Sequence, residues 1–314
     1  MMKALFSRLR GRRIPVFVRV LVPVIVIALV WTLADADDAL ARLGAVSWGW
    51  IALAFLALNL QIVLSALRWR MVSQSLGVPL SRRDSVAEYY LAQLVNQTVP
   101  GGVVGDAARA VRARHAAGLG RATQGVVIER MAGQIALWSV LTIGLVVSLV
   151  MPGGIVWPVE PGLIGLMGFA VLAPVGLYFL LRGGRTGVLA RFGEAVKLAL
   201  IAPELRWKQI GISLAIVACN LLGFAFAAEA TATTLSAEAV VTLVPLILTA
   251  MLIPATVAGW GFREGAAAAL FPLAGASAAA GLAASLAFGL VVLAASLPGV
   301  FVILRRRRVP VATG

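Results

Sequence analysis

The chain has 314 residues, 61% hydrophobic and 13% charged, with a mean hydropathy of +0.97 and a formal net charge of +14. About a quarter of a soluble domain is charged, so a water-soluble globule is excluded. Apolar stretches of some 20 residues, not alternating ones, point to helical rather than barrel spans. A single cysteine (Cys219) excludes an internal disulfide and a C-x-x-C site, and a single histidine (His115) excludes HExxH and multi-histidine metal clusters. None of the three lysines lies in a P-loop.

Residues 1–13 are polar and basic, and the apolar run Ile14–Leu33 follows. It is long and lacks a small-x-small cleavage site before Asp35, Asp37 and Asp38, so a retained first span is expected. Trp48–Leu67 is a second span, with Trp48 and Trp50 at one interface and Arg68 and Arg70 at the other. Thr123–Val150, Gly162–Leu181, Gln209–Ala228 and Ser277–Leu304 complete a set of six.

Val86–Val99 and Ala239–Ile253 are too short to cross. About 15 helical residues reach roughly 22 Å, against a core of roughly 30 Å. Each is followed by a break, at Pro100, Gly101, Gly102 and Gly105 in one case and at Pro254, Gly259 and Gly261 in the other. A second short helix comes after each break. Helix, break, helix is the pattern of a re-entrant hairpin; an ordinary kinked span is the plainer alternative.

With the two hairpins re-entrant, 23 of the 27 basic residues fall on one side, in segments 1–19, 68–83, 112–121, 182–208 and 305–308. The other side holds Arg42 with Asp35, Asp37, Asp38, Glu160, Glu229 and Glu238. The positive-inside rule then puts both termini in the cytoplasm, with the plasma (inner) membrane of a bacterium as the expected location. His115 and its neighbouring arginines read as a topology and lipid-headgroup patch. Residues Arg185–Lys208 read as an amphipathic surface segment, and Asn59 and Gln61 as interhelical hydrogen-bond partners.

Residues 100–109 and 254–263 both fit P-x-x-V-x-G-x-x-x-R, 154 positions apart. The same offset carries the third span onto the sixth. The expected architecture is therefore an all-α integral membrane protein with six full spans plus two re-entrant helical hairpins. It forms one membrane domain over 1–314, built as two inverted-topology repeats, about 14–150 and 162–304.

Six charges fall within membrane segments: Asp106, Arg109, Glu129, Arg130, Arg263 and Glu264. Intramembrane charges are costly and are functional candidates. Asp106 and Arg109 are i,i+3 neighbours, and Asp106 is placed to cap the half-helix after the break. Glu129 lies on the small-residue stripe of Gly125 and Gly133, the face that packs on other helices. The arginines and two half-helix N-termini suit an anionic headgroup; the alternative is that the six charges pair as interhelical staples. No catalytic residue, metal, cofactor or nucleic-acid partner is expected.

Arg68-Trp69-Arg70, Asn96 with Pro100–Arg109, Glu129-Arg130 with Gly133, and Gly259-Trp260-Gly261-Phe262-Arg263-Glu264 resemble the lysylphosphatidylglycerol synthase transmembrane-region family over nearly the whole chain. That family includes the flippase-like membrane domain of multiple peptide resistance factors. The resemblance implies a lipid flippase or transporter for an anionic or aminoacylated phospholipid or related lipid, as a stand-alone member without the synthase activity. Val104 stands before Gly105 where the family often has a second glycine, which leaves the cargo open; polyprenyl-linked sugars and hopanoids are linked with other stand-alone members. A non-transporting accessory role beside a lipid-modifying enzyme or glycosyltransferase is the alternative.

Overall fold

The structure is a computed structural model that describes residues 35–99, 102–150, 154–157, 187–252 and 257–307. The expected spans Ile14–Leu33 and Gly162–Leu181 lie outside these residues, as do Pro100, Gly101 and Pro254. In chain order the α-helices are α1 (Ala36–Gly44), α2 (Trp48–Ser75), α3 (Arg82–Thr98), α4 (Val104–Ala117), α5 (Leu119–Val150) and α6 (Gly187–Val196). They continue with α7 (Arg206–Ala230), α8 (Ala237–Ala250), α9 (Phe262–Leu270), α10 (Ala278–Ser296) and α11 (Pro298–Arg307).

Local sequence explains several boundaries. Ser81, Ser236 and Ser277 each cap a helix, their hydroxyls accepting the N–H of Asp84, Ala239 and Ala280. Gly118, at φ 84°, ends α4. Pro298 opens α11, where its missing N–H costs nothing. Among the described residues, α2, α5, α7 and the run Ala278–Arg305 are long and apolar enough to cross a membrane. α3 and α8 are shorter, and each is followed by a break and a second helix that packs back on it.

The most extensive packing joins α2 and α7, which run antiparallel. Ser47 donates its N–H to the Ala230 carbonyl at one end, and Arg68 reaches Ser213 at the other. Gly223 of α7 sits against Leu58 between them. α10, dense in alanine and glycine, is largely buried and touches α1, α2, α3, α7 and α9. Lipid tails give little hydrophobic drive between helices, so close contact through small residues does that work. Around α2, α7 and α10 lies a core that includes Leu58, Ile62, Phe224, Leu243, Phe271 and Phe288. Phe224 packs on the rings of Phe271 and Phe288, with centroids 6.3 and 5.1 Å away.

Glycine decides the closest approaches. A Cβ on Gly105 would collide with the Ala92 carbonyl of α3, and one on Gly259 with the Met251 backbone just after α8. Gly259 also stands at φ 80°, a region L side chains avoid. Gly144 of α5 meets the Val241 carbonyl of α8, which Pro245 cannot satisfy because it lacks the N–H four residues on. Asn59 of α2 accepts the Tyr90 hydroxyl of α3 at 2.9 Å, an interhelical bond, whereas Gln61 bonds Ser65 within its own helix.

Beyond the core, α6 and the π-helical turn Lys197–Ile201 lay Ala195, Val196 and Ala199 on Val72, Leu76 and Ile128. Glu238 at the start of α8 accepts the hydroxyl of Ser148 on α5 and the N–H of Ile155. Trp157 donates to the same Ser148 oxygen.

Candidate functional site

The six expected intramembrane charges separate into two clusters. The first contains Asp106 and Arg109 of α4 and Glu129 and Arg130 of α5. It also draws in Arg68 of α2, at the buried end of its helix, which continues to Ser75. Sequence reading assigned Arg68 to the cytoplasmic interface because the apolar run stops at Leu67. The signal for its burial lies on the facing helix: Gly125 and Gly133 bring α5 against Ser73 and Arg68, and a Cβ on Gly133 would stand 2.8 Å from Arg68 Nη2.

Glu129 is fully buried and holds this cluster together. Its Oε1 accepts Arg68 Nη2 at 2.8 Å and the Tyr89 hydroxyl at 3.3 Å; its Oε2 accepts Arg109 Nη2 at 2.8 Å. Arg68 also donates to Ser213 of α7 at 3.1 Å. One carboxylate thus ties α2, α3, α4 and α5 together and reaches α7 through Arg68. The Arg109 guanidinium, itself 0% exposed, lies over the rings of Trp69 and Tyr89 at 4.8 and 4.5 Å. Those faces replace part of its lost hydration.

Asp106 lies at the outer edge. Arg130 grips it with two donors, Nε on Oδ2 at 2.9 Å and Nη2 on Oδ1 at 3.0 Å, and Arg109 Nε stands 3.0 Å from the same Oδ1. The Arg130 side chain is 42% exposed and that of Asp106 8%. Asp106 does not cap α4 as its position suggested: Val103 has no side-chain cap, and Gly105 N–H goes to Asn96 Oδ1 at 2.7 Å. The two guanidinium groups beside Asp106 outcompete a neutral N–H for the carboxylate.

This cluster carries three arginines and two acids. Three buried guanidinium nitrogens, Arg68 Nε, Arg109 Nε and Arg109 Nη1, have no hydrogen-bond acceptor among the described residues, although Arg109 Nε stands within ion-pair distance of Asp106. A buried donor without an acceptor is costly, so these mark unused capacity for an anion.

The second cluster is Arg263 and Glu264 of α9 with Ser285 of α10, all 0% exposed. Arg263 donates to Glu264 Oε1 from Nη2 at 2.5 Å and from Nε at 3.1 Å, and to Ser285 Oγ at 3.0 Å. Glu264 Oε2 accepts Gly261 N–H at 2.6 Å, capping α9. Trp260 and Phe288 flank the guanidinium at 4.9 and 5.5 Å. The stripe Gly281, Ser285, Gly289 on α10 packs against α9 here. This cluster is neutral and closed. The sequence marked the six charges; it missed Arg68, Trp69, Tyr89, Ser213 and Ser285, of which only Arg68 and Trp69 fall within a motif quoted above.

A family model described as the lysylphosphatidylglycerol synthase TM region matches residues 17–299. The chain belongs to that family and is a membrane protein with a lipid-related role. No curated protein matches the chain significantly.

Proposed function

We propose that the chain moves an anionic or aminoacylated phospholipid, or a related lipid, between the leaflets of a bacterial inner membrane, with no chemical step of its own. Its architecture in this reading is six spans and two re-entrant hairpins in two inverted repeats, both termini cytoplasmic. The headgroup binds at the first cluster, around Arg109, Arg130 and Asp106. The observation that carries this is the surplus there: three arginines on two acids, with buried guanidinium donors left over. Arginine forks match phosphate and carboxylate.

Helix packing supports the repeat reading. Exchanging α2 with α7, α3 with α8, α4 with α9, and α5 with the α10–α11 run turns each main pairing into another observed pairing. α2·α3 becomes α7·α8, α4·α5 becomes α9·α10, and α5·α8 becomes α11·α3. The equivalent helices α2 and α7 run antiparallel, as inversion requires. Arg109 and Arg263, which share the repeated motif, are both buried between two rings.

Arg263 differs in having no nitrogen among the buried unpaired donors, so its role in this reading is to lock the second hairpin. The test is reconstitution into liposomes with leaflet-specific reporters. Wild-type protein redistributes lipid; Arg109→Ala and Arg130→Ala abolish this while remaining inserted and folded. Lack of movement of anionic, aminoacylated and polyprenyl lipids by wild-type protein overturns the transport reading in favour of an accessory role beside a lipid-modifying enzyme.

A further inference from the structure

Two carboxylates at the same helical position behave differently. Asp106 and Glu264 are each the third residue of a half-helix that follows a break. Glu264 is sealed: one oxygen holds a backbone N–H and the other an arginine and a serine. Asp106 has only guanidinium partners among the described residues, and its principal one, Arg130, is the most exposed member of its cluster. A carboxylate whose only partners among the described residues are two arginines occupies the place where an external anion would be bound.

We propose that Asp106 is a stand-in anion: it fills the seat between Arg109 and Arg130 in the empty protein, and the phosphate of an incoming lipid displaces it from Arg130. This rests on the reading of the first cluster as the headgroup site. Carboxylate and phosphate oxyanions compete for the same guanidinium fork. The displaced carboxylate gives up contacts to Arg130, while Glu129, clamped by Arg68, Arg109 and Tyr89, keeps the inner arginines in place. Arg109 Nη1 adds a buried donor that Asp106 does not use. The seat is thus occupied at rest, which keeps the arginines paired between turnovers and sets a threshold that only a good oxyanion passes.

The experiment is calorimetric titration of the full chain in detergent with monomeric dihexanoyl phosphatidylglycerol and, separately, with inorganic phosphate. Dihexanoyl phosphatidylcholine serves as the zwitterionic control. Removing the competitor in Asp106→Asn tightens phosphatidylglycerol binding by about tenfold, the scale of one charged hydrogen bond. The same variant melts at a lower temperature, because Arg130 loses its partner. Tighter binding with lower stability is the signature; a merely structural Asp106 would weaken both. Arg130→Gln weakens binding by about tenfold or more, and it carries the test if Asp106→Asn fails to fold.

Gain confined to the lipid assigns the seat to a headgroup, and an equal gain for inorganic phosphate assigns it to the phosphate group alone; both support the displacement. Unchanged or weaker binding by folded Asp106→Asn overturns it while leaving the headgroup site standing; unchanged binding by Arg130→Gln overturns it and takes Arg130 out of that site. Absence of binding by wild type and both variants overturns the headgroup reading itself.

Discussion

Arg109 and Arg263 occupy matching places in the two helix–break–helix units, each without exposure and each between two aromatic rings, yet their carboxylates come from different sources. Glu264 is the next residue along the same helix and closes the pair locally. Glu129 comes from another helix and is shared with Arg68, so five helices meet through one side chain and its partners. A local pair can be satisfied completely. A shared pair leaves donors over, and the excess arginine stands at the accessible edge. The same sequence pattern thus stands beside a sealed lock in one unit and an open set of charges in the other.

The largest expected effect that tests this contrast is on stability. Breaking a buried ion pair from one side costs about 3–5 kcal/mol because a charge is stranded. Glu129→Ala strands Arg68 and leaves Arg109 with Asp106 alone, whereas Glu264→Ala strands one guanidinium group, so Glu129→Ala lowers the melting temperature in detergent further. An equal loss, or the reverse order, breaks the comparison between a shared and a local carboxylate.

Close approach gives a mid-sized effect. Gly105→Ala drives a methyl into the Ala92 carbonyl and the Asn96 side chain that caps α4. Overpacking of this kind costs about 1–3 kcal/mol, here backbone against backbone, and it shifts the arginine seat with it. Gly120→Ala, where nothing lies near a Cβ, leaves the melting temperature close to wild type and serves as the control.

The smallest expected effect concerns how the second unit is anchored. At the start of α8, the Ser148 hydroxyl and then the Ile155 N–H hold the Glu238 carboxyl below its ordinary pKa, against a smaller opposing effect of burial. A carboxyl whose pKa falls on folding stabilises fully above its unfolded value, about 4.3 for glutamate, and the contribution fades as pH drops below that. Wild-type melting temperature consequently falls more steeply than that of Glu238→Gln as pH is lowered through and beneath this value. Parallel curves would show that Glu238 does not anchor α8.

Much of the fold was legible from the order of residues. The helix–break–helix units follow from short apolar runs ended by proline and glycine, and the structure places α3, α4, α8 and α9 accordingly. The six charges stood out because charge in an apolar segment is rare. The continuation of α2 through Arg68 to Ser75 was not legible, since an arginine after an apolar run reads equally as an interface anchor. Nor was the fate of Asp106, whose place in the first turn suits a cap as well as a guanidinium partner.

What the sequence by itself determined is the class of molecule, the positions of the breaks and which residues pay the cost of burial with charge. These depend on composition and on local periodicity, both of which a linear string contains. Which charge meets which was decided only by tertiary structure. Arg68 and Glu129 lie 61 positions apart, and Arg68 and Ser213 lie 145 apart. Their meeting depends on the rotation of each helix about its axis and on glycines that let backbones close up. Neither is written in the spacing of one helix, so the same three arginines and two acids had many pairings on paper and have one in the folded chain.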